Sequence, residues 1–127
     1  MRSFIISIAL LLSLIGTWCF FDTYSSNTLE NYGQILESEI LLSIESENWQ
    51  SASEDFLSLQ EEWQEYKQYA VFFLGTSELN EVDETMAKAY YYIKAEDISN
   101  ASGEIAFLKR QLLFLNSNEK MTAGNIF

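Results

Sequence analysis

The chain has 127 residues, of which 19 are acidic and 7 are basic, so its formal net charge is −12. A charge of that sign disfavours nucleic acid and anionic lipid headgroups as ligands. Because there is no histidine and only one cysteine, the composition excludes Ser-His-Asp and Cys-His catalytic systems, the Glu-x-x-His di-iron motif and an internal disulfide.

Residues 1–22 predict an uncleaved signal-anchor, a single membrane-spanning helix. No charge falls between Arg2 and Asp22, and a helix of that length rises about 27 Å, close to the hydrocarbon thickness of a bilayer. Trp18 lies near its far end, where aromatic rings prefer the headgroup layer. Arg2 predicts a cytoplasmic N-terminus and an extracytoplasmic domain. The alternative is a cleaved signal peptide, for which residues 23–25 offer a mediocre site.

The polar cluster that follows the anchor predicts a short hinge over residues 23–28. The remaining residues, 29–127, predict an extracytoplasmic helical domain with a loose C-terminal tail. Its first helix is expected from about residue 28 to residue 46. The apolar stripe of this helix consists of Leu29, Tyr32, Leu36, Ile40 and Ile44.

The next three helices are predicted from apolar residues that recur in steps of three and four. This spacing defines a seam and indicates left-handed bundle packing. Gly75 is expected to end the second helix in a left-handed conformation. The seam of the second helix is Trp49, Ala52, Phe56, Leu59, Trp63, Tyr66, Ala70 and Phe73. The third has Leu79, Val82, Met86, Ala89 and Ile93, and the fourth has Ile98, Ala101, Ile105, Leu108, Leu112 and Leu115.

Residues 47–53 and 96–102 are similar at an offset of 49 residues, and the match continues through Phe56/Ile105 and Leu59/Leu108. A repeat near this length is one helical hairpin, which must pack against a second copy to bury its apolar face. We therefore predict an all-α fold in which a transmembrane helix precedes two related hairpins, most simply an antiparallel four-helix bundle. A short tetratricopeptide-like stack is the alternative.

Two groups of carboxylates lie off the seam, where residues three and four apart share a helix face. Their members are Glu61, Glu62 and Glu65 in one patch and Glu78, Glu81 and Glu84 in the other. A solvated surface is the simplest interpretation. Oxygen ligands also suit hard cations, so a cation-responsive sensor or buffer is the alternative function. A hydrolase built on two carboxylates is a third hypothesis, although no cleft that would perturb their pKa is evident.

Aromatic residues off the seam predict a partner surface, namely Tyr91, Tyr92, Tyr69 and Phe72. Three consecutive tyrosines cannot all face one core, and exposed aromatic residues among few charges favour an interface. Tyr69 and Phe72 could instead cover the first helix. We expect a non-enzymatic, membrane-anchored interaction or accessory protein without cofactor or metal. Its expected partner is another membrane or envelope protein, not nucleic acid, and homo-oligomerisation stays open.

The chain also resembles a known family over almost its whole length. The residues that carry the resemblance are Asn48-Trp49-x-x-Ala52, Leu59, Trp63, Glu78-Leu79, Val82-Asp83, Met86-Ala87-Lys88, Tyr92-Ile93 and the terminal Asn125-Ile126-Phe127. They resemble the bacterial family called domain of unknown function 4363. The resemblance implies a small membrane-anchored protein of Gram-positive, often spore-forming bacteria, and it supplies no catalytic residue. The apolar ending at Phe127 suggests a tail that docks into the bundle or a partner.

Overall fold

The computed structural model describes the backbone of residues 1–126 and the side chains of residues 1–116. Over these residues the chain forms helices and no strand, which confirms the all-α prediction. The helices are α1 (Arg2–Glu45), α2 (Trp49–Ala70), α3 (Thr76–Lys94) and α4 (Ile98–Ile126). The absence of proline from the sequence suits such long elements. The predicted docking of Ile126 and Phe127 lies outside the residues whose side chains are described.

The helices form an antiparallel four-helix bundle. Each helix packs against two neighbours: α1 against α2 and α4, and α3 against α2 and α4. The contact between α1 and α4 closes the ring, and short connections make successive helices antiparallel. A stack of two hairpins would instead leave the first and last helices apart, so the tetratricopeptide-like alternative does not apply.

The predicted hinge is wrong, because residues 23–28 lie in the interior of α1. The polar cluster does not interrupt the helix, since Ser25 is fully buried and its hydroxyl is hydrogen-bonded to the hydroxyl of Tyr66 on α2. Phe21 and Leu29, one turn to either side, are buried on the same face. The helix continues through one π-helical turn at Leu36–Ile40, so the apolar segment and the bundle share one unbroken element.

The core follows the predicted seam with few exceptions. Trp49 and Phe73 are only partly buried, and Ile98 is exposed. Trp49 and Ile98 are the first residues of α2 and α4, and Phe73 follows the end of α2. The rest of the predicted seam is buried, including Phe56, Leu59, Trp63, Met86, Ile93, Ile105, Leu108 and Leu112. The apolar stripe of α1 (Leu29, Tyr32, Leu36, Ile40 and Ile44) is buried too.

The two halves of the repeat turn the chain in the same way. Glu47 and Glu96 adopt left-handed backbone angles, with φ of 59° and 56°. The next residues, Asn48 and Asp97, cap the following helices: their side-chain oxygens accept the backbone N–H three positions later, at 3.3 and 3.1 Å. The same corner therefore connects α1 to α2 and α3 to α4.

Gly75 does not adopt the predicted left-handed conformation. Its φ of −66° and ψ of 133° are extended, and it precedes the first turn of α3. The helix α2 ends earlier, at Ala70, and the segment between is a turn in which the N–H of Leu74 bonds to the carbonyl of Ala70. The connection is thus closed by right-handed turns, so no left-handed residue is needed there.

Candidate interaction surfaces

A groove runs between α3 and α4 on the outside of the bundle, with a cavity volume of about 260 Å³. We call it the α3–α4 groove; it is lined by Glu78, Glu81, Val82, Phe107, Arg110, Gln111, Phe114 and Leu115. Phe107 and Phe114 lie seven residues apart on one face of α4, and 51% and 58% of their surfaces are exposed. Two large aromatic side chains are therefore exposed to solvent beside an apolar depression.

The α3–α4 groove combines an apolar floor with a charged rim. Val82 and Leu115 are buried members of the core, while Glu78 and Glu81 on α3 and Arg110 on α4 supply charges on the two sides. An apolar floor between two helices with polar edges is the usual site for a helix laid along a groove. The surface is thus suited to binding an amphipathic helix.

Phe107 and Phe114 are not among the partner residues predicted from the sequence. Both lie off the seam. Their spacing of seven residues, with Arg110 between them, places them on one face of α4. The seven-residue spacing outside the seam is therefore a sequence signal for this stripe, whereas the groove beside it depends on the neighbouring helix.

A second aromatic surface forms where the end of α2 meets α1. We call it the α1–α2 aromatic cluster; its members are Trp18, Phe20, Phe21, Tyr24, Tyr69, Phe72 and Phe73. The ring of Phe73 stacks on Phe21 with centroids 3.9 Å apart and meets Trp18 edge-on at 5.2 Å. Beside them Phe72 is 80% exposed and Tyr69 is 58% exposed. Two of the predicted partner residues therefore belong to this cluster.

The other two predicted partner residues lie elsewhere. Tyr91 is 73% exposed, whereas Tyr92 is half-buried against the core, as is Tyr90, which stacks over Phe56. Tyr91 lies fifteen residues beyond Thr76, the first residue of α3, which is about 23 Å of helix rise. The four predicted aromatic residues are therefore divided between opposite ends of the bundle and do not form one surface.

Comparison with known families identifies the chain. A family model described as "Domain of unknown function (DUF4363)" matches residues 23–126. The chain belongs to the DUF4363 family. The match covers the bundle and leaves out the apolar N-terminal segment. Neither a curated protein nor a solved structure matches the chain.

The first acidic patch of this DUF4363 protein is divided by the fold. Glu62 and Glu65 line a polar groove between α1 and α2, with a cavity volume of about 460 Å³, and Glu61 is exposed. The groove also contains Tyr32, whose side chain is almost fully buried. Burial raises the pKa of the Tyr32 hydroxyl above its usual range, and the negative charge of Glu62 is the second largest cause of this increase.

The second acidic patch is divided as well. Glu78 and Glu81 contribute to the rim of the α3–α4 groove, and Glu84 is exposed one turn further along α3. Among the described residues, no group of three or more histidine, cysteine, aspartate or glutamate side chains is arranged to hold a metal ion. In each predicted patch of this DUF4363 protein, two carboxylates therefore line a groove and the third lies outside it.

The N-terminal part of α1 projects from the bundle. One helix in the described chain, Arg2–Glu45, is long and apolar enough to cross a membrane. Almost none of its most apolar stretch is buried against the rest of the protein. By length and composition, the DUF4363 bundle thus carries one N-terminal helix that can span a bilayer.

Proposed function

We propose that this protein is a non-enzymatic, membrane-anchored interaction protein whose bundle binds a helix of another membrane protein in the α3–α4 groove. The observation that carries the proposal is the exposure of Phe107 and Phe114 beside the buried Val82 and Leu115. Aromatic residues beside an apolar depression provide most of the binding energy in many interfaces. The lack of histidine in the chain also supports a role without acid-base or nucleophilic catalysis.

The anchor is retained in this proposal because the bundle uses its last turn. Phe21 and Ser25 are buried core residues of α1, so cleavage after Ser25 would remove the stacking of Phe21 on Phe73. Arg2 is the sole basic residue before Lys67, which favours a cytoplasmic N-terminus and an extracytoplasmic bundle. The family resemblance supports a bacterial envelope as the location.

The position of the groove favours a partner from the same membrane. Glu78 lies in the first turn of α3, directly after the α2–α3 connection that contacts the anchor through Phe73. A helix that emerges from the bilayer beside α1 can therefore continue outward along α3 and α4, starting at the membrane surface. The 19 acidic residues of the chain, the first of which is Asp22 at the end of the anchor, favour basic residues at the edges of that helix.

Affinity recovery of the tagged full-length protein from its host's membranes, after mild crosslinking, tests this proposal. We expect mass spectrometry to find one dominant partner at near-equal amount. The double variant Phe107→Ser/Phe114→Ser should lose about tenfold or more of that recovery, or about 1.4 kcal/mol of binding free energy. Because both side chains are half-exposed, its melting temperature should change little.

The matched control is Tyr91→Ser, which removes an aromatic residue that is even more exposed, at the opposite end of α3. It should leave recovery unchanged. Loss of the partner with Tyr91→Ser but not with the double variant would move the interface to the far end of the bundle. Recovery of the protein alone or only with copies of itself would contradict a separate partner.

The second candidate function is cation binding in the polar groove between α1 and α2. It is favoured by the presence of Glu62, Glu65 and the buried Tyr32 around one depression. Calorimetry with calcium, magnesium and spermidine on the detergent-solubilised protein tests it. A specific site would be supported if the heat of cation binding disappears in the double variant Glu62→Gln/Glu65→Gln but is retained in Glu61→Gln/Glu84→Gln. Equal heats of binding for the two double variants would contradict it.

A further inference from the structure

The α2–α3 connection, residues 71–75, lies beside the end of the apolar part of α1. Phe73 contacts Trp18 and Phe21, which belong to the last turns before Asp22, the first acidic residue. From Arg2 to Asp22 the helix rises about 30 Å, which matches the hydrocarbon thickness of a bilayer. If α1 spans the membrane, Phe73 is therefore fixed at the level of the headgroups.

The exposed residues of this connection are apolar. Phe72 is 80% exposed and Val71 is 40% exposed. The uncharged run that contains them, residues 68–77, is the longest one downstream of Asp22. Phe72, together with Phe20 and Tyr69, lines a depression with a volume of about 400 Å³. An apolar surface of this kind is unfavourable in water and marks an interaction site.

The opposite end of the bundle is acidic. Both connections there contain carboxylates: Glu47 follows α1, and Glu96 and Asp97 follow α3. Anionic headgroups repel such groups. The bundle therefore has an aromatic connection adjoining the anchor and, about a helix length away, an end whose two connections are acidic.

We propose that the α2–α3 connection inserts Phe72 and Tyr69 into the lipid headgroup layer and so forms a second attachment to the bilayer. The occupant of the α1–α2 aromatic cluster is the lipid surface itself, because the cluster is continuous with the spanning segment of α1. The inference rests on the membrane anchoring included in the proposed function. Since α1 has no hinge, the two attachments together hold the bundle directly on the membrane surface.

Site-directed spin labelling of the full-length protein tests this insertion. In a Cys19→Ser background, single cysteines replace Leu11 in the anchor, Phe72 in the connection and Tyr91 at the acidic end. The labelled proteins are reconstituted at low density in vesicles of phosphatidylcholine and phosphatidylglycerol, with no other protein. We expect the labels at positions 11 and 72 to lose accessibility to a water-soluble nickel complex while remaining accessible to oxygen, and position 91 to keep its accessibility to nickel.

The three positions separate failure of the insertion from failure of the anchor. A label at position 72 that remains accessible to nickel, with position 11 protected, overturns the insertion and leaves the anchor intact. Accessibility at position 11 overturns both. Protection at position 72 that disappears when the protein is diluted in lipid would show that a second copy covers the cluster, which also overturns the proposal. Phe72→Cys alters an exposed side chain, and equal melting of the labelled proteins verifies folding.

Discussion

Trp63 joins the apolar core to a polar contact between helices. Its ring is fully buried, and its indole N–H donates to Asp83 Oδ1 on α3 at 2.7 Å. Asp83 also forms an ion pair with Lys67 on α2. One carboxylate therefore satisfies the only polar atom of the tryptophan side chain and connects α2 to α3.

We expect Trp63→Ala to reduce the free energy of unfolding by about 3–5 kcal/mol, since a buried aromatic ring is replaced by a cavity. Urea unfolding of the full-length protein in detergent measures this. Trp49→Ala is the control and should cost less, because Trp49 is only partly buried at the start of α2. A cost below about 1 kcal/mol for Trp63→Ala would contradict the packing described here.

Glu96 adopts an unfavourable backbone conformation at the corner between α3 and α4. Its φ of 56° lies in the left-handed region, which is unfavourable for a residue with a Cβ. Replacement by glycine should therefore raise the free energy of unfolding by about 1 kcal/mol. Glu96→Ala retains the Cβ and serves as the control. Equal melting temperatures for the glycine and alanine variants would show that this backbone angle carries no strain.

Tyr32 should make the fold sensitive to alkaline pH. Its pKa is raised by burial, so the folded state holds the phenolic proton more tightly than the unfolded state. The resulting contribution to stability is complete below the ordinary tyrosine pKa of about 10 and is lost as the pH rises above it. Tyr32→Phe should reduce the fall in unfolding free energy above about pH 10. A profile identical to that of a Tyr91→Phe control would contradict this.

At the scale of elements, α1 is the part for which sequence and structure differ most. The polar cluster at residues 25–28 has the composition of a linker, but Tyr66 on α2 provides a partner for Ser25. That hydrogen bond comes from a residue 41 positions away, so no local pattern could reveal it. The backbone conformation of Gly75 likewise depends on the residue at which α2 ends. The spacing of apolar residues does not define that residue.

Asn27→Pro distinguishes a continuous α1 from a hinge. Asn27 is exposed, so its replacement removes no core packing. Inside a helix, proline removes a backbone hydrogen bond and clashes with the preceding turn, and we expect a loss of about 3 kcal/mol in unfolding free energy. Asn27→Ala should be nearly neutral. If the proline and alanine variants unfold alike, the chain at this position is a flexible connection.

The seam was predictable because burial in a bundle imposes a period of 3.5 residues, and positions such as Phe56, Met86 and Leu112 obey it. The candidate surface was less predictable. Phe107 and Phe114 line a groove only because Val82 and Glu81 of α3 lie beside them, which is a property of the assembled helices. Tyr91 is exposed, as the sequence predicted.

At the scale of the whole molecule, the closed ring of helices gives each surface a fixed place. The α1–α2 aromatic cluster adjoins the apolar N-terminal part of α1, the α3–α4 groove begins next to it at Glu78, and Tyr91 lies at the far end. The lack of a hinge in α1 means that the bundle cannot move freely relative to its anchor. If α1 spans a bilayer, as we propose, the groove is held close to the membrane, where the helix of a membrane partner would reach it.

Site-specific photocrosslinking in the living host tests the central claim most directly. A photoreactive phenylalanine analogue replaces Phe114 in the groove in one strain and Tyr91 at the far end in another. We predict a single crosslinked adduct from position 114, formed with a protein that itself has a membrane-spanning helix, and none from position 91. No adduct at position 114, or an adduct at position 91 alone, would contradict the assignment of the α3–α4 groove as the binding site.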